Sequence, residues 1–329
     1  MNDKTLSHWL ESLSLAATPD IDECIDTLGD HISWLYEFKD TQQDPEWHAE
    51  GDVHIHTGMV LNELYDLLGS QARHITGGRR QALILAALLH DIGKPKCTKA
   101  IEIKGIHRIA SPQHESIGRS YLAFALQTLP LSFEVYWQVL GLVGEHHMPK
   151  LLAVKNMSRG QYLALSRRTD TELLYWLEVA DMRGRKCPDL SLQLSHLDEF
   201  ALFAEEYNVW GKAFMWPQSA LIGESDTARH YVYASGLQAM EQDRIFHPDE
   251  ALAIAYQHKD QHPQVMVMCG PSGSGKSTWI AQHASEYEVI SLDELRQEVN
   301  GNRSNQKTKD KFYTWLRIVL KTVCAEKRK

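Results

Sequence analysis

A glycine-rich loop lies about sixty residues before the C-terminal end of the chain. It follows the apolar run 265–269, which predicts a buried strand, and it has the pattern G-x-x-x-x-G-K-[ST]. In this pattern backbone N–H groups surround phosphate oxygens, the lysine reaches the outer phosphates and the next hydroxyl helps to hold magnesium. The sequence therefore predicts a site for ATP and Mg²⁺. Its residues are Gly270, Ser272, Gly273, Ser274, Gly275, Lys276, Ser277 and Thr278.

A carboxylate and a guanidinium follow a second predicted strand, over 287–291. Because α/β sheets gather their ligands at the carboxyl ends of strands, Asp293 could accept a proton from a nucleophilic hydroxyl. Arg296, one turn later, could bind a phosphate of the acceptor. The alternative is that Asp293 simply caps the N-terminus of a helix.

Histidines and aspartates form a second group of candidate residues, with His90 and Asp91 adjacent at the end of an apolar helix. Gly93 and Pro95 should end that helix and leave both side chains at a rim. Imidazole nitrogens and carboxylate oxygens suit Mn, Fe, Co, Ni or Zn, and such a metal can activate water and neutralise phosphate charge. Taken singly, each residue could instead be a buried structural histidine or part of an ion pair. The set as a whole favours a metal site, because helices packed in a bundle can direct all its members inward. The candidate residues are His56, His90, Asp91, His114, His147 and Asp181.

The elements that must position these residues are mainly helical. Apolar residues recur at helical spacing through the first 255 residues, whereas residues 99–109 alternate around a glycine and predict a short hairpin. The polar stretch 257–264 predicts a linker. The expected fold is therefore a helical bundle followed by a partial α/β segment.

Composition narrows the class of protein. The net charge of −9 argues against a large surface for duplex nucleic acid, although a nucleic-acid end could still be held locally. The five cysteines include no C-x-x-C pair, which argues against disulfides and thiolate metal sites. No apolar run is long enough to cross a bilayer, and the N-terminus lacks the features of a signal peptide. We therefore expect a soluble, cytoplasmic protein with no membrane partner.

Five short segments carry the histidines and aspartates: 47–57, 90–94, 114–115, 145–149 and 180–185. Together they resemble the HD phosphohydrolase superfamily, and most nearly the HD domain attached to bacterial CCA-adding tRNA nucleotidyltransferases. The resemblance covers roughly residues 45–190. It implies a metal-dependent phosphohydrolase built as a helical bundle.

The resemblance also implies roles for individual residues. It makes His56, His90, Asp91 and Asp181 ligands of a first metal, and His114 and His147 ligands of a second. In the doublet His146-His147 the place directly before Met148 favours His147, but some HD proteins use the first histidine. Lys94, Arg183 and Arg185 stand where the family has basic residues near the substrate, with surface ion pairs as the alternative for the two arginines. Asp91 and Lys94 are the expected catalytic residues of this half.

The C-terminal segment resembles polynucleotide 5′-kinases through the glycine-rich loop, the run 290–296 and the run 301–306. In that family the aspartate corresponding to Asp293 is the general base, and the arginine corresponding to Arg296 contacts the nucleic acid. Such kinases usually continue for about 150 residues and add an arginine-bearing lid. We therefore expect an incomplete kinase, either a shortened piece or a natural loss, with weak phosphate transfer.

Both halves together resemble bacterial HD/polynucleotide-kinase enzymes that heal RNA ends. The resemblance implies removal of a 2′,3′-cyclic or terminal phosphate from RNA 3′ ends and ATP-dependent phosphorylation of 5′-hydroxyl ends, with an RNA ligase as a possible partner. Alternatives are a small-nucleotide phosphohydrolase with a regulatory ATP-binding segment, and a C-terminal segment that serves only assembly. The expected division of the chain is an N-terminal helical extension (1–44), an HD core (45–190), a further helical part (191–256), a linker (257–264) and a kinase segment (265–329).

Overall fold

The computed structural model describes residues 3–103, 105–216, 226–256, 265–302, 314–318 and 322. The chain divides into two compact units, Met1–Leu252 and Ala253–Lys329. The expected linker, 257–264, lies outside the described residues, as do 303–306 of the kinase-like run. No helix in the described ranges combines the length and the apolar character needed to cross a membrane.

The first unit is helical, as the periodicity predicts. Its helices are α1 (Asp3–Leu15), α2 (Ile21–Leu28), the 3-10 helix η1 (Ser33–Asp40), α3 (Val53–Gly69), α4 (Gly77–Leu89), α5 (Lys94–Cys97), α6 (His114–Ala125), the 3-10 helix η2 (Leu126–Thr128), α7 (Phe133–Glu145), α8 (Met148–Val154), α9 (Arg159–Ser166), α10 (Thr171–Arg183), α11 (Leu190–Glu206), α12 (Asp226–Glu241) and α13 (Pro248–Tyr256), which crosses the boundary between the units. The predicted hairpin is confirmed. It pairs β1 (Lys99–Ile103) with β2 (Ile106–Ala110) in antiparallel register.

Helix α4 is the centre of this unit. Its second half, 82–89, is buried on every side, because helices α1, α3, α7 and α10 pack around it. A helix that is apolar all round is stable only in such a core. His90, the C-cap of α4, is consequently placed in the middle of the bundle.

Two glycines allow the backbones that carry the candidate ligands to approach each other. A Cβ on Gly93 would lie 2.1 Å from the carbonyl oxygen of His114, and a Cβ on Gly184 would lie 2.9 Å from the backbone nitrogen of Val60. The first contact holds the turn after α4 against α6. The second holds the end of α10 against α3.

The described part of the second unit contains α14 (Lys276–His283), α15 (Leu292–Asn300) and a helical stretch at 314–318. The predicted strands at 265–269 and 287–291 are wrong, because the described backbone there is irregular. The run 265–269 is also not buried: Val267 keeps 83% of its surface exposed. An extended segment becomes a stable strand only when a neighbour accepts and donates its backbone hydrogen bonds. Apolar sequence alone does not supply that neighbour.

Candidate metal centre and phosphate-binding loop

His56, Asp181, His90 and Asp91 converge from three helices and one turn. Nε2 of His56 lies 3.0 Å from Oδ1 of Asp181 and 3.7 Å from Oδ2 of Asp91. Nε2 of His90 lies 3.3 Å from Asp91 Oδ2 and 3.8 Å from Asp181 Oδ1. We call this set the first cluster. All four side chains are buried, so the expectation that His90 and Asp91 lie at a rim is wrong: the turn after α4 leads into α5, which packs against α6 and η1.

Three histidines are held in one tautomer by backbone carbonyls. Nδ1 of His90 lies 2.9 Å from the oxygen of Ala87, and Nδ1 of His146 lies 2.8 Å from that of Val143. Nδ1 of His114 lies 2.8 Å from the carbonyl oxygen of Ser111. Because a carbonyl can only accept a hydrogen bond, each Nδ1 carries a proton, and Nε2 is the nitrogen that offers a lone pair to a metal when the ring is neutral. This is how metal-binding histidines are oriented in proteins.

These Nε2 atoms face one another and carboxylate oxygens, which tests whether a cation fits. Nε2 of His114 lies 3.3 Å from Nε2 of His146 and 3.2 Å from Oδ1 of Asp91. Nε2 of His90 is buried without a hydrogen-bond partner among the described residues. Two ligands of one ion lie about 2.9–3.4 Å apart when each bond is about 2.0–2.1 Å, for octahedral to tetrahedral geometry. The donor set therefore fits a divalent transition metal. Such an ion would bind between nitrogen and oxygen atoms that otherwise repel one another.

Two cations keep the buried carboxylates ionised. Nζ of Lys94 lies 2.7 Å from Oδ2 of Asp91, and the guanidinium of Arg185 pairs with both oxygens of Asp181. Burial alone would raise the pKa of Asp91, but His90 and Lys94 outweigh it and hold the pKa well below its usual range. Burial would likewise raise the pKa of Asp181, but the charge of Arg185 outweighs burial. The pKa of Asp181 is therefore also held well below its usual range. Both carboxylates are thus available as ligands at neutral pH.

The histidine doublet contributes both its rings to a second cluster, which consists of His114, His146 and His147. The ring centroids of His146 and His147 lie 5.2 and 5.1 Å from that of His114. Burial lowers the pKa of both doublet histidines well below the usual value, and neighbouring histidines lower it further. Neutral imidazoles are the form that binds a metal. The preference for His147 over His146 stays a prediction, because the structure brings both rings to the cluster.

Two glutamates that the sequence did not single out lie behind the histidines. Oε1 of Glu50 lies 3.0 Å from Nδ1 of His56 and 2.8 Å from Nδ1 of His48. Oε1 of Glu178, a fully buried carboxyl on α10, lies 3.6 Å from Nδ1 of His147, and burial raises its pKa to about 7. Glu50 belongs to the motif 47–57 and could have been noticed there. Glu178 stands one turn before Asp181, which is a weak signal for a residue type as common as glutamate.

A cavity of about 220 Å³ opens onto these clusters. Lys94, His114, His147 and Arg185 contribute to its wall, so the expected basic residues Lys94 and Arg185 lie beside the candidate ligands. Arg183 is partly exposed and is not among the described residues that line this cavity. Its expected contact with a substrate therefore stays a prediction.

The glycine-rich loop of the second unit leads directly into α14. Gly273 and Gly275 adopt positive φ angles of 79° and 84°, a conformation that favours glycine. Nζ of Lys276, the first residue of α14, donates to the carbonyl oxygens of Gly270 and Pro271 at 2.8 and 2.7 Å. The lysine thus lies over the loop at a helix N-terminus, where backbone N–H groups favour anions.

Asp293 and Arg296 form an ion pair within the first turns of α15. The N-cap of α15 is Ser291, whose hydroxyl accepts a hydrogen bond from the backbone nitrogen of Glu294. The alternative role of Asp293 as the helix cap is therefore wrong. Its carboxylate is largely exposed and is held by Arg296.

Two known protein families match parts of the chain. Residues 55–183 match the HD domain family, and residues 265–329 match an AAA domain family. No curated protein matches the chain. The chain thus joins an HD domain, of a superfamily of metal-dependent hydrolases, to a small AAA-like segment with a kinase-type P-loop.

Proposed function

We propose that the HD domain removes a 2′,3′-cyclic or terminal phosphate from RNA 3′ ends, and that the P-loop segment binds ATP and Mg²⁺ to phosphorylate RNA 5′-hydroxyl ends. Each half would prepare one end of a broken strand, which an RNA ligase could then join. The metal would be Mn, Ni, Co, Fe or Zn, since the donors are imidazole nitrogens and carboxylate oxygens.

The proposed phosphoesterase activity of the HD domain rests on one observation: imidazole nitrogens and carboxylate oxygens face one another inside the helical bundle. Nε2 of His90 has no hydrogen-bond partner in the described ranges, and Nε2 of His114 faces Nε2 of His146. Buried acceptors arranged in this way are costly unless a cation binds between them. We assign His56, His90, Asp91 and Asp181 to a first metal, and His114 with His146 and His147 to a second. A bound metal would supply an activated water and would neutralise phosphate charge.

The basic residues at the cavity wall would bind the phosphate. Lys94 and Arg185 line the cavity while they also pair with Asp91 and Asp181. A phosphate that enters the cavity can accept hydrogen bonds from the same ammonium and guanidinium groups. Asp91 would then act by holding its metal and Lys94 by orienting the phosphate. Arg183 is a further candidate for contact with the RNA.

The P-loop half uses its own residues. Lys276 would move from the loop carbonyls to the outer phosphates of ATP, and Ser277 would help to hold Mg²⁺. Asp293 would accept the proton of the 5′-hydroxyl and Arg296 would contact the RNA. Their present ion pair would have to open for both roles.

The phosphoesterase is tested with RNA ending in a 2′,3′-cyclic phosphate, RNA ending in a 3′-phosphate, and the corresponding free nucleotides. The protein is stripped with a chelator and reloaded separately with Mn²⁺, Ni²⁺ or Co²⁺. We expect metal-dependent release of phosphate or opening of the cyclic ester on RNA, lost in Asp91→Asn. A kcat/KM far higher on free nucleotides would contradict an RNA end as the substrate.

The P-loop is tested by thermal unfolding of the full chain, in which the transition of the second unit is followed with and without Mg²⁺-ATP. A ligand at a hundredfold excess over its Kd stabilises the folded state by about 2.7 kcal/mol, and Lys276→Ala should remove that protection. Transfer of labelled γ-phosphate to a 5′-hydroxyl oligonucleotide, compared between the same two proteins, tests the kinase. Equal protection of both proteins by ATP would exclude the loop as the nucleotide site.

A further inference from the structure

A second hollow lies on the first unit, on the surface shared by η1 and α6, and so combines the segment before the HD domain with the HD domain itself. It has a volume of about 480 Å³ and is lined by Trp34, Ser116, Ile117, Ser120 and Tyr121. It is a shallow, largely open surface rather than an enclosed small-ligand pocket. None of these lining residues is acidic, so its wall does not repel a phosphodiester strand.

The wall of this hollow is aromatic. The rings of Trp34 and Tyr121 stack with centroids 3.8 Å apart and planes only 7° from parallel. The phenol hydroxyl of Tyr121 lies 3.4 Å from Oγ of Ser33, which helps to hold the pair. The two rings cover each other's inner faces, so an unpaired nucleobase would stack on an outer face of the pair, without regard to sequence, because every base has a π-face.

Two separate elements connect the hollow to the candidate metal centre. On α6, His114, Ile117 and Tyr121 follow at spacings of three and four, so they share one face of the helix. Tyr121 lies two turns, about 10 Å, from His114 along that face. On α5, Lys94 pairs with Asp91 in the metal centre, whereas Nζ of Lys96 lies 5.4 Å from the ring centroid of Trp34. Each of these two helices thus has residues beside both sites.

We infer that this hollow binds an unpaired base of the RNA strand, a few nucleotides before the 3′ end that enters the metal centre. The inference rests on the proposed hydrolysis of RNA ends and adds that the enzyme distinguishes a strand from a free nucleotide. The hollow holds the strand by stacking, with Lys96 beside it. Because Lys96 is paired with Glu37 at 2.6 Å, stacking rather than charge supplies most of the affinity.

The test compares an oligoadenylate ending in a 2′,3′-cyclic phosphate with adenosine 2′,3′-cyclic phosphate. Ser120→Glu places a carboxylate in the hollow at an exposed helix position, and Ser195→Glu is the matched control on the exposed face of α11. For Ser120→Glu we expect kcat/KM on the oligoadenylate to fall at least about tenfold, with the mononucleotide unchanged. Ser195→Glu should change neither. Equal effects of Ser120→Glu on both substrates, or no effect on either, would overturn the inference.

A binding measurement separates this inference from the proposed activity. Fluorescence anisotropy with a labelled oligoadenylate that ends in a 3′-phosphate reports the strand surface without any turnover. Weaker binding to Ser120→Glu and to Trp34→Ala than to the wild type supports the surface, even if the wild type hydrolyses neither substrate. If the wild type hydrolyses both substrates but all variants bind the strand equally, the proposed function stands and the hollow has no part in it.

Discussion

At the scale of single residues, the doublet His146-His147 shows how two adjacent histidines can serve one site. His146 follows α7 and is anchored by the carbonyl of Val143, whereas His147 is the N-cap of α8 and lies beside Glu178. The chain turns between the two helices. Both rings can therefore point to His114, although adjacent residues within one helix would diverge by about 100°.

We predict that His147→Ala weakens metal binding at the second cluster at least about tenfold, since it removes an imidazole ligand. Binding of Mn²⁺ or Ni²⁺ by isothermal titration calorimetry would show one weaker class of site while the other is kept. His146→Ala is the companion variant. Unchanged titrations for His147→Ala together with a loss for His146→Ala would assign the second metal to His146 instead.

Glu50 is expected to act through His56. Its carboxylate lies 3.0 Å from Nδ1 of His56, and the backbone nitrogen of Lys186 donates to it at 3.0 Å. Glu50→Gln should weaken metal binding at the first cluster roughly 10- to 100-fold, because a carboxylate behind a ligating histidine raises its basicity. The measurement is the metal Kd, with Glu134→Gln at an exposed position of α7 as the control. An unaltered Kd for Glu50→Gln would mean that Glu50 only stabilises the segment that precedes α3.

At the scale of elements, the close approach of the turn after α4 to α6 decides where His114 lies. We predict that Gly93→Ala lowers the free energy of unfolding by about 2–3 kcal/mol, since the new Cβ would lie 2.1 Å from the carbonyl of His114. Gly69→Ala is a matched control, because its Cβ would meet nothing within 4 Å. Denaturant unfolding of the two variants checks this. Equal stabilities would show that the turn and α6 can separate without cost.

The stability that the contact between α4 and α10 contributes should depend on pH. Burial raises the pKa of Glu172, but hydrogen bonds from Arg79 and His74 outweigh it and leave the pKa lowered. The folded state thus binds this proton less readily than the unfolded chain. The resulting stability is fully present above the unfolded pKa of about 4.3 and is lost as the pH falls through the lower, folded value.

Glu172→Gln should therefore cost about 1–2 kcal/mol at pH 7, and the difference from the wild type should shrink below about pH 4. Free energies of unfolding at several pH values test this. A difference that does not change with pH would show that the carboxylate charge has no role in the contact.

Helix content and the hairpin could be predicted from the sequence, because periodicity records which face of each element is buried. The convergence of His56, His90, Asp91 and Asp181 could be predicted from the family pattern. The burial of His90 and Asp91 could not, since it depends on α5 and α6 closing over them. Nor could the irregular backbone at 265–269, because strand formation depends on a partner that local sequence does not specify.

At the scale of the whole molecule, the chain carries its two candidate sites on two compact units. The metal centre uses residues of the first unit and the P-loop uses residues of the second. The donor sets also differ: imidazoles and carboxylates suit a transition metal, whereas the P-loop presents N–H groups and a lysine to phosphates. Loss of one site should therefore leave binding at the other intact.

The most direct test of a metal centre in the HD domain is the metal content of Asp91→Asn, which preserves the shape of the side chain but removes its charge. The wild type, Asp91→Asn and the exposed control Asp66→Asn are loaded with Mn²⁺ or Ni²⁺, desalted and analysed by elemental mass spectrometry, and ATP protection is measured on the same samples. We predict that Asp91→Asn alone loses bound metal and cyclic-phosphate hydrolysis while it keeps its ATP protection. An Asp91→Asn protein that retains the metal content and hydrolysis of the wild type would contradict the metal centre described above.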